Sequence, residues 1–151
     1  MNLKGASPMK AVTWQGKQKM EIRNVDDPKI LEPTDAIIRI TATAICGSDL
    51  HLYHHGEAVL EKGYVVGHEP MGIVEEVGSQ VQTLKKGQRV VIPFNISCGH
   101  CHFCLNHMES QCDESNPDQL YGGLFGFGKL NGNHWGGQAE YLRVPYADST
   151  S

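Results

Sequence analysis

The sequence predicts a β-rich barrel or sandwich. Two observations carry that reading: short apolar, β-branched stretches recur between Gly, Pro and Asp punctuation, and sustained 3.6-residue periodicity is scarce. Met9 opens the run Met-Lys-Ala-Val-Thr-Trp, so the first strand is expected at Lys10 to Trp14 and residues 1–8 are expected to be a flexible leader. Further strands follow at Lys19 to Arg23, Ala36 to Ala44, Gly72 to Val77, Arg89 to Pro93 and Ala139 to Val144. One helix is expected from Ser48-Asp49 toward His55, because Ser and Asp are good N-caps and Gly56 is suited to close the end. Between Cys98 and Cys112 alternation stops and the chain becomes a polar lobe, about residues 95–115, with few residues able to build a core. Tyr121 to Gly137 holds seven Gly in seventeen residues, which permits tight turns but no regular element, and it contains no G-x-G-x-x-G.

The 151 residues make one domain's worth of chain, expected over residues 9–151, large enough to bury about two-thirds of its unfolded surface. A formal charge of −4 without charged blocks offers no basic stripe for nucleic acid and no polybasic patch for a membrane surface. No stretch approaches the length of a membrane-spanning helix, and residues 1–8 have no apolar core of a secretory signal. Nucleic-acid and membrane partners are therefore not expected.

Cys98, Cys101, Cys104 and Cys112 form C-x2-C-x2-C-x7-C, a spacing that lets four thiolates converge on one ion. An iron–sulfur cluster usually shows a three-residue last spacer followed by Pro, whereas here the last spacer is seven residues and Asp113 follows. Disulfides fit poorly with five cysteines and no signal, so a reduced, cytoplasmic chain is expected. Structural zinc is the reading, and the order of the lobe is expected to come from the metal.

A second set of donors is less complete. Cys46 ends a predicted strand and opens Cys-Gly-Ser-Asp-Leu-His, and Gly67-His68-Glu69 enters another. A thiolate, an imidazole and a carboxylate are donors that zinc accepts, with a catalytic site leaving one position for water or substrate. Taken singly, Cys46 reads as a buried free thiol and His68 as a satisfied turn histidine.

Gly67-His68-Glu69-x-x-Gly72 with Gly78 and Val81, Cys46-Gly47-Ser48-Asp49-x-His51, Val81-x-x-Leu84-x-x-Gly87-Gln88-Arg89-Val90 and the four-cysteine lobe together resemble the zinc-containing medium-chain alcohol dehydrogenases, from Met9 to Asp148. The usual Asp of the third motif is Gln88 here. The resemblance implies a GroES-like, partly open β-barrel with few short helices and a protruding zinc lobe. It implies Cys46 and His68 as ligands of a catalytic zinc, with Glu69 as the neighbouring carboxylate that can approach or transiently ligate it. Ser48 would hydrogen-bond the substrate oxygen and pass its proton toward His51 through the cofactor ribose. Gly47 sits where several relatives carry a basic residue that meets the cofactor phosphate, so Gly47, Ser48 and His51 form the expected cofactor side. Asp49 reads as a capping group or a group behind the ligands.

Trp135-Gly136-Gly137-Gln138-Ala139-Glu140-Tyr141 and Val144-Pro145-Tyr146-Ala147-Asp148 resemble the branch containing glutathione-independent formaldehyde dehydrogenase, which implies small alcohols or aldehydes as substrates, with NAD or NADP undecided. A Rossmann domain, the third catalytic-zinc ligand and a returning C-terminal segment are absent from these residues. The chain is therefore expected to be the N-terminal catalytic-domain portion of a dehydrogenase, inactive by itself, unable to bind a dinucleotide, weakly loaded at the catalytic-type site and open to homo-oligomer formation. The alternative is a stand-alone zinc-binding or interaction module with a co-chaperonin-like barrel. His54, His55, His100, His102, His107 and His134 are expected to have no metal role. Phe125, Phe127 and Trp135 are expected to pack the Gly-rich loop more than to wall a substrate channel.

Overall fold

The computed structural model describes residues 8–117 and 121–151, so most of the expected leader lies outside the described residues. Strands β1 (Met9–Gly16) and β2 (Lys19–Val25) form an antiparallel hairpin, turning through Gly16 and Gln18 at positive φ. The outer strand β2 carries Lys19, Glu21 and Arg23, which pair with one another and leave a charged edge that discourages strand addition. Strands β3 (Ala36–Thr43), β4 (Pro70–Val77), β5 (Arg89–Val91) and β6 (Tyr141–Val144) make a second antiparallel sheet in the order β5-β4-β3-β6. All six lie where β-branched and apolar runs place them.

The segment Gln138 to Glu140 joins the two sheets. Val12 N donates to Gln138 O at 2.8 Å and Glu140 N to Lys10 O at 3.1 Å, while on the other side Ile40 N donates to Glu140 O at 2.9 Å. One stretch thus satisfies backbone groups of β1 and β3 at once, and the sheets curl round a common interior without closing, as a mainly β, partly open barrel does. Breaks in the β3–β4 register after Ile37 and after Ile40 supply local bending.

Ala36, Ile38, Val74, Ile92, Ile96, Phe125, Leu142, Val144 and Ala147 fill the main core. Trp14, Leu52, Leu60, Tyr64 and Val66 form a second cluster under the single long helix, α1 (Gly47–His55). Gly72 allows the β3–β4 approach, since a Cβ there would stand 2.2 Å from Arg39 O. The expected helix is present, but its caps differ from the sequence expectation. Cys46 is the N-cap, and Asp49 reaches back to accept from Cys46 N at 3.0 Å. Gly56 lies in the right-handed region and not in a left-handed C-cap. Its missing side chain instead makes room for Trp14, whose Nε1 would be 2.9 Å from a Cβ.

Two short α-helices, α2 (His102–Leu105) in the cysteine lobe and α3 (Ala147–Thr150) near the end of the chain, and three 3-10 turns complete the described fold. Asp148 of α3 ties down the loop before β5: Gln82 N and Thr83 N donate to its carboxylate at 2.7 and 2.8 Å. Partial burial pushes this carboxyl up, but the Thr83 hydroxyl and these backbone donors outweigh burial and hold it below the ordinary range. A carboxyl depressed in the folded state stabilises it above the unfolded value of about 3.9, and that contribution is lost as pH falls through the folded value. Asp148→Asn is therefore expected to lower the urea midpoint at pH 7 and to show a smaller deficit near pH 3. An equal deficit at both pH values would show that the charge is not what holds the loop.

Candidate metal centres

The lobe is organised by sulfur. The four thiols of Cys98, Cys101, Cys104 and Cys112 lie within 4.8 Å of one another, with Cys98 to Cys104 at 3.9 Å and Cys101 to Cys112 at 4.0 Å. With Zn–S bonds near 2.3 Å, the edge of a tetrahedral four-thiolate site is about 3.8 Å, so the two opposite edges already have the size the ion needs. Backbone amides converge on the same sulfurs. Cys98 N donates to Cys112 Sγ at 3.3 Å, Cys101 N to Cys98 Sγ at 3.2 Å and His100 N to Cys98 Sγ at 3.4 Å. Such donors favour thiolates over thiols.

Burial first, and then the neighbouring cysteines, work against that charge: they push Cys98 up to about 12 and raise Cys104, while at Cys112 the Cys98 and Ser115 contacts outweigh burial and lower it. Four anionic sulfurs so close, in a setting that resists ionisation, require a cation among them. The four-cysteine group fits a structural zinc. His100 and His107 are exposed, as is His102 at the start of α2, and none joins the sulfur group. Half-buried Tyr146 packs on both the cysteines and the barrel core, so it couples the lobe to the sheet.

The second set lies where β3 gives way to α1. Gly67, at a positive φ of 100°, turns the chain into His68; a Cβ there would meet Gln138 Cγ at 2.4 Å, so this corner is restricted to glycine. His68 Nε2 stands 3.0 Å from Cys46 Sγ, 2.9 Å from Ser48 Oγ and 3.9 Å from Glu69 Oε1. Ser48 Oγ is also 2.9 Å from Cys46 Sγ. Cys46, His68 and Glu69 present their donor atoms within 4.8 Å of one another.

On the far side of the ring, His68 Nδ1 lies 3.3 Å from Asp49 Oδ1, and neither buried atom has another partner among the described residues. Asp49 therefore uses one oxygen to cap α1 and turns the other to the imidazole, directing Nε2 toward Cys46. That is the arrangement by which carboxylates orient metal-binding histidines. The Asp49 carboxylate raises His68, and the Ser48 hydroxyl leads the group of contacts that lowers Cys46. A soft thiolate, an oriented imidazole and an exposed carboxylate suit zinc and leave a coordination position for a ligand.

Two expected residues stand apart from this cluster. His51 is exposed on α1, with its ring 5.9 Å from that of His55 and no hydrogen bond to Ser48 among the described residues, and Gly47 faces open space. Phe127 has a more specific position than loop packing suggests: its ring lies 4.8 Å from that of His68. The signal for it in the sequence is its setting between Gly126 and Gly128, both at positive φ, which bend the loop down over the imidazole. Phe125 is fully buried in the main core and Trp135 is 41% exposed, so the three aromatic residues do three different things.

Comparison with known proteins gives a consistent picture. A model of the alcohol dehydrogenase GroES-like domain matches residues 32–150. The chain is similar to the uncharacterized zinc-type alcohol dehydrogenase-like protein AdhB of Bacillus subtilis, with 58% identity over 142 residues covering 94% of this chain and 38% of that protein. It is 40% identical over 146 residues to the glutathione-independent formaldehyde dehydrogenase of Pseudomonas aeruginosa, covering 92% of this chain and 36% of that one. Among solved structures, alcohol dehydrogenase TADH from Thermus sp. ATN1 superposes with a TM-score of 0.84 at 43% identity, covering 93% of this chain and 38% of TADH. The chain thus spans well under half the length of these relatives.

Proposed function

Since this chain belongs to the alcohol dehydrogenase GroES-like domain family, we propose that residues 9–151 are the catalytic-domain part of a zinc-dependent dehydrogenase acting on small alcohols or aldehydes with NAD or NADP. The observation that carries the proposal is the Cys46–Ser48–His68 triangle, 2.9 to 3.0 Å on each side, backed by Asp49 and flanked by Glu69. A structural module has no use for such a hydroxyl between two metal donors.

In this reading Cys46 and His68 hold zinc, with Glu69 able to approach it. The metal supplies a Lewis acid that polarises a carbonyl or lowers the pKa of an alcohol. Asp49 keeps the His68 ring in register and prevents its Nδ1 from competing. The Ser48 hydroxyl, beside both ligands, receives the substrate proton and passes it by way of the cofactor ribose toward exposed His51 on the next turn of α1, which delivers it to solvent. Phe127 covers one side of the ligand and keeps water from it. The five unpaired cysteines accord with a reducing, cytoplasmic setting. Exposed Ile45 and Leu50, next in sequence to Cys46 and Asp49, offer apolar surface for the rest of a longer dehydrogenase or for a second copy. Among the described residues no strand–glycine turn–helix unit is present for a dinucleotide, so the 151 residues assayed alone should neither bind NAD or NADP tightly nor turn over.

The test is a chimera in which residues 9–151 replace the matching part of AdhB. AdhB itself serves as the control, assayed on short alcohols and formaldehyde with each cofactor. The chimera is expected to turn over wherever AdhB does, and Ser48→Ala within it to lower kcat by about 10²–10⁴-fold, the usual worth of a positioned proton-transfer group. A folded, zinc-loaded chimera without turnover beside an active AdhB would overturn the proposal.

A further inference from the structure

We propose that His51 and His55 form a third metal site, exposed and separate from both thiolate centres, which takes a transition-metal dication that imidazole favours, Cu²⁺ or Ni²⁺ ahead of Zn²⁺. The two histidines are four residues apart on α1 and so occupy one face, one turn above the other. Their ring centroids are 5.9 Å apart with the planes at 74°. Histidines at this spacing on a helix are a recognised metal-binding pair, because two imidazole nitrogens at about 2.0–2.1 Å from one ion fit the separation of adjacent turns.

Both side chains are exposed, and neither makes a hydrogen bond to the described residues, so small rotations bring their nitrogens together without breaking one, although the His55 ring also neighbours that of His54 at 6.0 Å. His54, between them in sequence, is differently placed: its Nδ1 lies 3.0 Å from Gln18 Nε2 and its ring stacks edge-on with Tyr53. The chemistry of the helix end favours a cation as well. His55 is the last residue of α1, where the free carbonyl groups carry partial negative charge. With two nitrogen donors and the remaining positions filled by water, affinity should follow the order Cu²⁺ above Ni²⁺ and above Zn²⁺ for octahedral or square-planar preferences. If His51 carries protons as proposed above, an ion on this pair also withdraws it from that duty. That consequence rests on the dehydrogenase reading, whereas the binding does not.

The experiment is a calorimetric Ni²⁺ titration of the zinc-loaded 151-residue chain at neutral pH, followed by NMR of the histidine rings. One Ni²⁺ per chain is expected, broadening the His51 and His55 signals first. His55→Ala should weaken the affinity by about tenfold or more, since the second donor acts as a tethered ligand of high effective concentration. His54→Ala and Cys46→Ser should leave it unchanged. Unaltered affinity in His55→Ala would overturn the proposal, as would loss of binding in Cys46→Ser, which would place the ion in the thiolate centre. Either failure leaves the dehydrogenase reading intact, because that reading is judged by turnover of the chimera.

Discussion

Cys112→Ser is expected to yield a chain that no longer retains zinc and whose lobe has lost its order while the barrel persists. Cys112 is fully buried, receives Cys98 N, and fixes the exit of the lobe, where Ser115 Oγ donates to Cys112 O at 2.8 Å and itself accepts from Gly123 N. The lobe has little apolar material besides the cysteines, so metal binding and local folding are one process there. Structural zinc contributes an apparent ~10–16 kcal/mol in small domains, comparable to the entire stability of an ordinary fold, so weakening the site by one ligand forfeits much of what orders residues 98–112. Metal analysis should show about one tightly held zinc per wild-type chain and none at this site in the variant. Hydrogen exchange should accelerate across the lobe and change little in β3 and β4. A Cys112→Ser chain that keeps its zinc and its lobe protection would mean that something other than the four sulfurs holds the segment.

The second large effect is expected from Asp35→Ala. Asp35 has no exposed surface, and four donors satisfy its carboxyl oxygens: Leu31 N at 2.9 Å, Glu32 N at 2.8 Å, and Arg143 through Nε at 2.6 Å and Nη2 at 3.1 Å. The forked pair joins the start of β3 to β6 across the sheet. Removing the carboxylate leaves two backbone donors and a guanidinium without partners. Breaking one side of a buried pair costs about 3–5 kcal/mol, and because the Arg143 side chain is 25% exposed and can draw in water, the lower end applies. For a chain of this size about 3 kcal/mol corresponds to roughly 6–12 °C in melting temperature. The double variant Asp35→Ala/Arg143→Leu should recover part of the loss by removing the stranded charge. A single variant that melts within a degree or two of the wild type would show the pair to be dispensable.

The strands were legible because each is a short β-branched run between turn residues, and the lobe because its cysteines carry their own geometry. What escaped the sequence depends on partners far along the chain. Cys46 is a poor capping residue by propensity, and it becomes the N-cap only because Asp49 answers it and His68, twenty-two positions later, holds them both. Gly56 looks like a helix terminator, yet its role is to admit an indole from β1. Asp35 resembles a turn residue and is buried because Arg143 is 108 positions away in sequence and 2.6 Å away in space. In the candidate site, the donor types were readable from the chain, but their convergence was implied only by the family resemblance. The seat of Phe127 on His68 depends on a loop path that no local pattern encodes.

The strip from Gln138 to Glu140, wedged between β1 and β3, has a consequence for the order in which the chain assembles. Lys10 N donates to the Glu140 carboxylate at 2.7 Å across 130 positions of sequence. During synthesis, at about 5–20 residues per second, the first hairpin emerges many seconds before the strip that must seal it to the rest. Until then the second flank of β1 is covered only in part, by Gly63 to Val66, and closing the long loop to Glu140 carries an entropic cost of roughly 4 kcal/mol. Closure of the barrel should therefore come late, awaiting residues near 140, after β1 has already engaged Gly63 to Val66.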